Sequence, residues 1–111
     1  MPITSSYNII VLPYPDNILA ITIMVMPGDN IALGFNFVNV LAKGEIVASA
    51  VFTSSSNLIT SITKSNSGAF SQIELSNTMI SGQTVCVECS VTGSMGTQAA
   101  GFVDLVAFNS Y

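Results

Sequence analysis

The stretch Thr84-Val85-Cys86-Val87-Glu88-Cys89-Ser90-Val91-Thr92 decides the fold class of this chain. Val85, Val87, Cys89 and Val91 are apolar, while Thr84, Glu88, Ser90 and Thr92 are polar. A period of two puts one face of a strand into a core and leaves the other in water. The same alternation recurs upstream. Within 31–39, Ile31, Leu33, Phe35 and Phe37 oppose Ala32, Gly34, Asn36 and Val38. Within 45–53, Ile46, Ala48, Ala50 and Phe52 share one face and Val47, Ser49 and Val51 the other, both largely apolar, as in a strand covered on two sides. Further strands are expected over 18–26, 58–63, 69–75, 83–92 and 99–108. Turn clusters separate them, such as Pro27-Gly28-Asp29-Asn30 and Gly93-Ser94-Met95-Gly96-Thr97.

No stretch carries helical periodicity. About seven short strands with a turn signal every ten or so residues predict an all-β, immunoglobulin-like antiparallel sandwich over residues 18–111. Residues 1–17 read as an extended arm. Tyr7 to Leu12 can form a short strand, but Pro13, Tyr14 and Pro15 oppose a regular ladder. Phe35, Phe37, Phe52, Val85, Val87 and Cys89 are the expected core. Tyr7, Ile9, Val11 and Tyr14 of the arm, with Val47 and Val51 on the second apolar face of their strand, are expected to meet a partner.

Charged residues make up 7% of the 111 residues, against ~25% in ordinary domains. Two lysines, no arginine, no histidine and a net charge of −4 exclude the electrostatic footprint of nucleic-acid binding. The longest apolar run, 18–26, is well short of the ~20 residues of a membrane-spanning helix. The first lysine is Lys43, so no basic leader precedes an apolar run, and synthesis inside the cell is expected.

The same inventory argues against an enzyme. Serine has no histidine to activate it. Asp16, Asp29, Glu45, Glu74, Glu88 and Asp104 are dispersed in sequence and read as solvated carboxylates. Asp29 with Asn30, or Glu45, offers turn oxygens of the kind calcium uses, but no D-x-D-x-D-type run accompanies them, and no metal or cofactor is expected. Cys86 and Cys89 form a C-x-x-C whose members fall on opposite faces of one strand. That geometry suits neither a disulfide nor a zinc site, so both read as free structural thiols.

Several segments together, Phe35-Asn36-Phe37-Val38-Asn39-Val40-Leu41, Lys43-Gly44-Glu45, Ile46 to Phe52, Ser76 to Gly82 and Thr84 to Thr92, resemble a family of small immunoglobulin-like structural proteins of tailed phages. The likeness covers about the last 80 residues. Phe52 stands where that family usually has a buried tryptophan, and the family's Asp/Trp-rich segment after the first strand is absent. The resemblance implies a virion component made in the host cytoplasm, joining tail fibres to the tail or baseplate, or alternatively decorating the capsid. A carbohydrate-binding or receptor-binding module is a further alternative, weakened by Tyr7, Tyr14 and Tyr111 being confined to the termini. The partners expected on this reading are other phage tail, baseplate or capsid proteins and further copies of the chain. Surplus apolar strand surface, as in Ile46 to Phe52 and Phe102 to Phe108, supports burial against such partners.

Overall fold

Strands form where the alternation is strongest, and they stack as two four-stranded sheets. The computed structural model describes residues 4–12 and 21–108; Tyr14, Asp16, Tyr111 and the start of the strand expected from residue 18 lie outside the described residues. In chain order the strands are β1 (Thr4–Ile10), β2 (Ile21–Val25), β3 (Asn30–Asn36), β4 (Val47–Ser54), β5 (Ile59–Ser67), β6 (Phe70–Asn77), β7 (Thr84–Gly93) and β8 (Gln98–Ala107). One sheet runs β1-β3-β6-β5 and the other β2-β8-β7-β4. This is the expected all-β, immunoglobulin-like sandwich, with eight strands among the described residues. Two of its pairings, β1 with β3 and β2 with β8, are parallel.

The segment read as a docking arm is part of the sandwich as far as it is described. β1 pairs with β3 along its whole length, with Tyr7 opposite Leu33 and Ile9 opposite Phe35. That register turns Ile9 inward, and Val11 follows it, its N–H bonded to the Asn36 carbonyl at 2.9 Å. Both side chains are buried in the core, which corrects their placement at an interface. Tyr7 is half-buried, and its hydroxyl donates to the Met24 carbonyl of β2 at 3.3 Å, tying the two sheets together at this edge.

Val47 is the second correction. Strict alternation sets it on the face opposite Phe52, but the ladder between β4 and β7 slips between Val47 and Ser49. A bulge inserts one residue and inverts the facing of everything before it. Val47 therefore enters the core, while Ile46 is left 51% exposed. Val51, beyond the bulge, keeps its expected outward position and is 60% exposed.

Phe35, Phe37, Val85, Val87 and Cys89 are fully buried, and Phe52 is half-buried at the edge of the core. The Phe35 ring lies 6.4 Å from Phe37 and 6.1 Å from Phe52, the spacing of offset and tilted aromatic pairs. Met79, expected in a loop, is also core, whereas its neighbour Ile80 is 66% exposed. Asn77 explains that turn: its side chain accepts from the Met79 N–H at 2.8 Å and donates to the Met26 carbonyl at 3.1 Å, so a buried amide is satisfied on both sides.

Gly101 faces inward on β8 opposite Cys89, directly under the Phe35 ring. A Cβ there would stand 2.7 Å from Val11 Cγ2 and 2.9 Å from Phe35 Cδ1. An alanine in a strand normally costs nothing relative to glycine, so any loss measures packing alone. Gly101→Ala is expected to destabilise the fold by about 1–3 kcal/mol, read as a lower urea midpoint at unchanged slope.

Candidate functional site

Three connections gather at one end of the sandwich because β3, β5 and β7 all run toward it: residues 37–46, the turn at 68–69, and the turn at 93–97. Each is a short local structure. In the first, the Val40 and Leu41 N–H groups both donate to the Phe37 carbonyl at 3.0 Å, and the Glu45 N–H to the Ala42 carbonyl at 2.9 Å. The second is a two-residue hairpin turn between Ser67 and Phe70, so β5 runs on through residues expected to be loop. The third closes with Gly93 N–H on the Thr97 carbonyl at 2.7 Å and Gly96 N–H on the Gly93 carbonyl at 3.0 Å. Gly96 has φ +91, a left-handed conformation that a side chain would strain.

The connections are tied to one another in sequence around the rim. Ser94 N–H donates to the Ile46 carbonyl at 2.8 Å, and Ile46 N–H to Ser94 Oγ at 3.2 Å. Val47 N–H donates to the Gly68 carbonyl at 2.8 Å, and Phe37 N–H to the Ala69 carbonyl at 2.9 Å. Behind this ring sits Glu45, only 4% exposed. Its Oε1 accepts from the Ala42 N–H at 2.9 Å; its Oε2 accepts from the N–H groups of Met95 at 2.8 Å and Thr97 at 3.1 Å. One carboxylate thus fastens the first connection to the third. Gly93 makes this possible, since a Cβ at that position would collide with the Glu45 carboxylate.

The Thr97 hydroxyl, followed by those backbone donors, holds the Glu45 carboxyl down to about 2 from an ordinary 4.5, against the opposing effect of burial. Glu45 was expected to be a solvated carboxylate; it is an internal clamp. Gly44 beside it, and Gly93 and Gly96 in a turn far along the chain, are the only trace of this in the sequence.

The surface that the clamp supports is short and mostly uncharged. Val38 is 58% and Met95 64% exposed, standing out from the first and third connections, with Lys43 nearby in sequence. Of the expected interface residues, none is brought to this end among the described residues except the buried Val11 and Val47 beneath it. Tyr7 and Val51 lie on strands away from it, and Tyr14 falls outside the described residues.

Nucleophilic chemistry finds no support here. Cys86 and Cys89 are free, on opposite faces of β7 as expected. Burial pushes the Cys89 thiol up to about 12, with a Ser71 hydrogen bond opposing, and burial together with Asp104 raises that of Cys86. Neither is a ready thiolate. Among the described residues no group of three or more acidic or cysteine side chains converges to hold a metal ion.

No family model and no curated protein matches this chain. Among solved structures it is similar to the crystal structure of the cysteine protease inhibitor EhICP2 from Entamoeba histolytica, with 8% identity over 96% of this chain and 99% of that one, at a TM-score of 0.58. It is also similar to the solution structure of amebosin, with 11% identity, the same coverages and a TM-score of 0.42. The first of these shares the fold end to end. It corrects the expectation of a virion component: the structure that this chain matches over its length is named as a protease inhibitor. The tail adaptor, the capsid decoration protein, the sugar- or receptor-binding module and the phage structural partners are set aside with it.

Because the Glu45 carboxyl sits lower when folded than in an open chain, the ionised clamp adds stability that is complete above about pH 4.5 and is lost as pH falls toward about 2. Glu45→Gln is therefore expected to melt below the wild type at pH 7. The gap between the two should close as the pH approaches 2, and the amide resonances of Met95 and Thr97 should titrate with it in the wild type only.

Proposed function

We propose that this chain is a non-enzymatic inhibitor of a cysteine protease and that it engages the enzyme with the end of the sandwich carrying residues 37–46, 68–69 and 93–97. The observation that carries the reading is the clamp: a buried carboxylate bonded to three backbone N–H groups from two connections. Such a surface has little loop entropy left to lose on binding, and preorganisation of this kind favours tight association by a small area.

The same bonds oppose cleavage. A segment must straighten to be cut, and straightening residues 93–97 would break the Gly93–Thr97 and Gly96–Gly93 hydrogen bonds and strip the Glu45 carboxylate of two of its three backbone donors. The exposed side chains suit an apolar cleft: Val38 and Met95 project as two separate knobs, and methionine adapts its shape to an irregular pocket. The absence of histidine means that no imidazole of this chain titrates between pH 5 and 8, so its own charge changes little across that range. The fold shared with a protein named as a cysteine protease inhibitor supports the choice of partner class.

The test is a progress-curve assay with fluorogenic substrates against a panel of papain-like and caspase-like cysteine proteases. Reversible inhibition of at least one member is expected, with the chain recovered intact. Met95→Asp and Val38→Asp should each weaken it by tenfold or more without lowering the melting temperature, whereas Val51→Asp, on the outer face of β4, should leave it unchanged. Lack of inhibition across the panel well above micromolar concentration, or equal loss with Val51→Asp, would overturn the reading.

A further inference from the structure

β5 lacks the buried inner face of β6, the strand that it pairs with. Its cross-strand partners Leu75 and Ile73 point into the core, yet opposite them stand Ser61 and Lys64. Apart from Ile59 at its start, every residue of β5 is exposed. The ladder also slips between Ser61 and Thr63, so that Ile62 is the extra residue of a bulge and is 46% exposed. A strand with a polar inner face cannot seal the layer beneath it. The result is a cleft of about 120 Å³ at the seam where β5 of one sheet faces β4 of the other. Ile73 and Leu75 line it from one sheet and Phe52 and Val87 from the other, with Ser61 and Lys64 at its mouth.

Three properties of this seam point to one kind of occupant. An apolar cavity of ~150 Å³ takes a benzene-sized group, so the cleft has room for one aliphatic side chain. β5 is the outer strand of its sheet, so one edge of its backbone has no strand partner among the described residues and offers donors and acceptors to an added strand. Lys64 is one of only two cations in a chain of net charge −4, and it forms no ion pair among the described residues. A small molecule would fill the cleft and leave the backbone edge unused; an extended peptide can satisfy both.

We infer that the seam between β4 and β5 binds an extended segment of a partner protein that adds to the edge of β5, buries one aliphatic side chain against Leu75 and Ile73, and places an acidic residue two positions away against Lys64. The spacing follows from strand geometry, since residues i and i+2 share a face. The seam and the loop end are separate surfaces, and this site does not depend on the inhibitor reading.

The probe is a displayed library of random twelve-residue peptides, selected on the whole wild-type chain. Enriched sequences are expected to share an aliphatic residue with Asp or Glu two positions from it, and a synthetic peptide of that kind should slow hydrogen exchange of β5 amides. Ser61→Leu fills the cleft from within; it should melt no lower than the wild type and lose the peptide tenfold or more. Lys64→Glu, a change at the rim, should lose it similarly and restore binding to a peptide carrying lysine in place of the acid. The inference is overturned if no sequence is enriched, if Ser61→Leu binds the selected peptide as well as the wild type does, or if Lys64→Thr merely self-associates, which would make Lys64 a guard against edge pairing and nothing more.

Discussion

The Glu45 carboxylate is the interaction on which the end of the sandwich formed by residues 37–46, 68–69 and 93–97 depends. Burying an ion is unfavourable unless its lone pairs are met, and here they are met by the backbone of two connections that would otherwise have to find partners for those N–H groups themselves. The arrangement is reciprocal: the turns exist in their observed shape because the carboxylate is there, and the carboxylate stays ionised because the turns surround it. Gly93 is the silent member of the set. Any side chain at that position would occupy the volume that the carboxylate fills, so a residue with no chemistry of its own determines whether the clamp can form.

How much of this could be read from the residues depends on the range of the interaction. β7 was fully legible, because period-two alternation is a local property and its inner residues Val85, Val87, Cys89 and Val91 are all core. β3 was legible for the same reason. The sandwich itself follows from repeating that pattern between turn clusters. Val47 was not legible, since a bulge depends on the pairing of β4 with β7, which lies some forty residues away, and one inserted residue inverts the facing of its neighbours. The place of Ile9 and Val11 also depended on a non-local event, the parallel pairing of β1 with β3. Glu45 was hidden most deeply: its donors come from Ala42 nearby and from Met95 and Thr97 on the far side of the chain, and a carboxylate beside a turn glycine usually faces water.

The corrected expectation about function has the same origin. Of the segments from Phe35 to Thr92 that resembled a phage structural family, the longest are strands of alternating apolar and small polar residues, which any half-buried strand selects, and the rest are turns. They describe the sandwich and not what it does. The match to an inhibitor structure at 8% identity across nearly the whole chain makes the point from the other side, since an almost complete change of sequence leaves the architecture in place. What distinguishes one such sandwich from another must then lie where the strand code is broken: in turns, in bulges, and in polar residues set where the core expects apolar ones.

By that criterion the two ends of the argument, the loop tip and the β4–β5 seam, are physically opposite. At the tip every departure from the strand code is answered, with a buried acid fully bonded and a glycine where the acid needs room, and the outcome is rigidity. At the seam the departure is unanswered: Ser61 and Lys64, beside Leu75 and Ile73 in the same ladder, line a space that nothing in the described chain fills. The core side chains from Phe35 to Leu105 are shielded from water, so the polar inner face of β5 stands at the margin of a buried layer. A polar residue on the inner face of a strand costs stability wherever an apolar one would pack. The bulge that accompanies it disturbs the ladder as well, and both fall on an outer strand of this sheet, whose free edge is open to an extended segment.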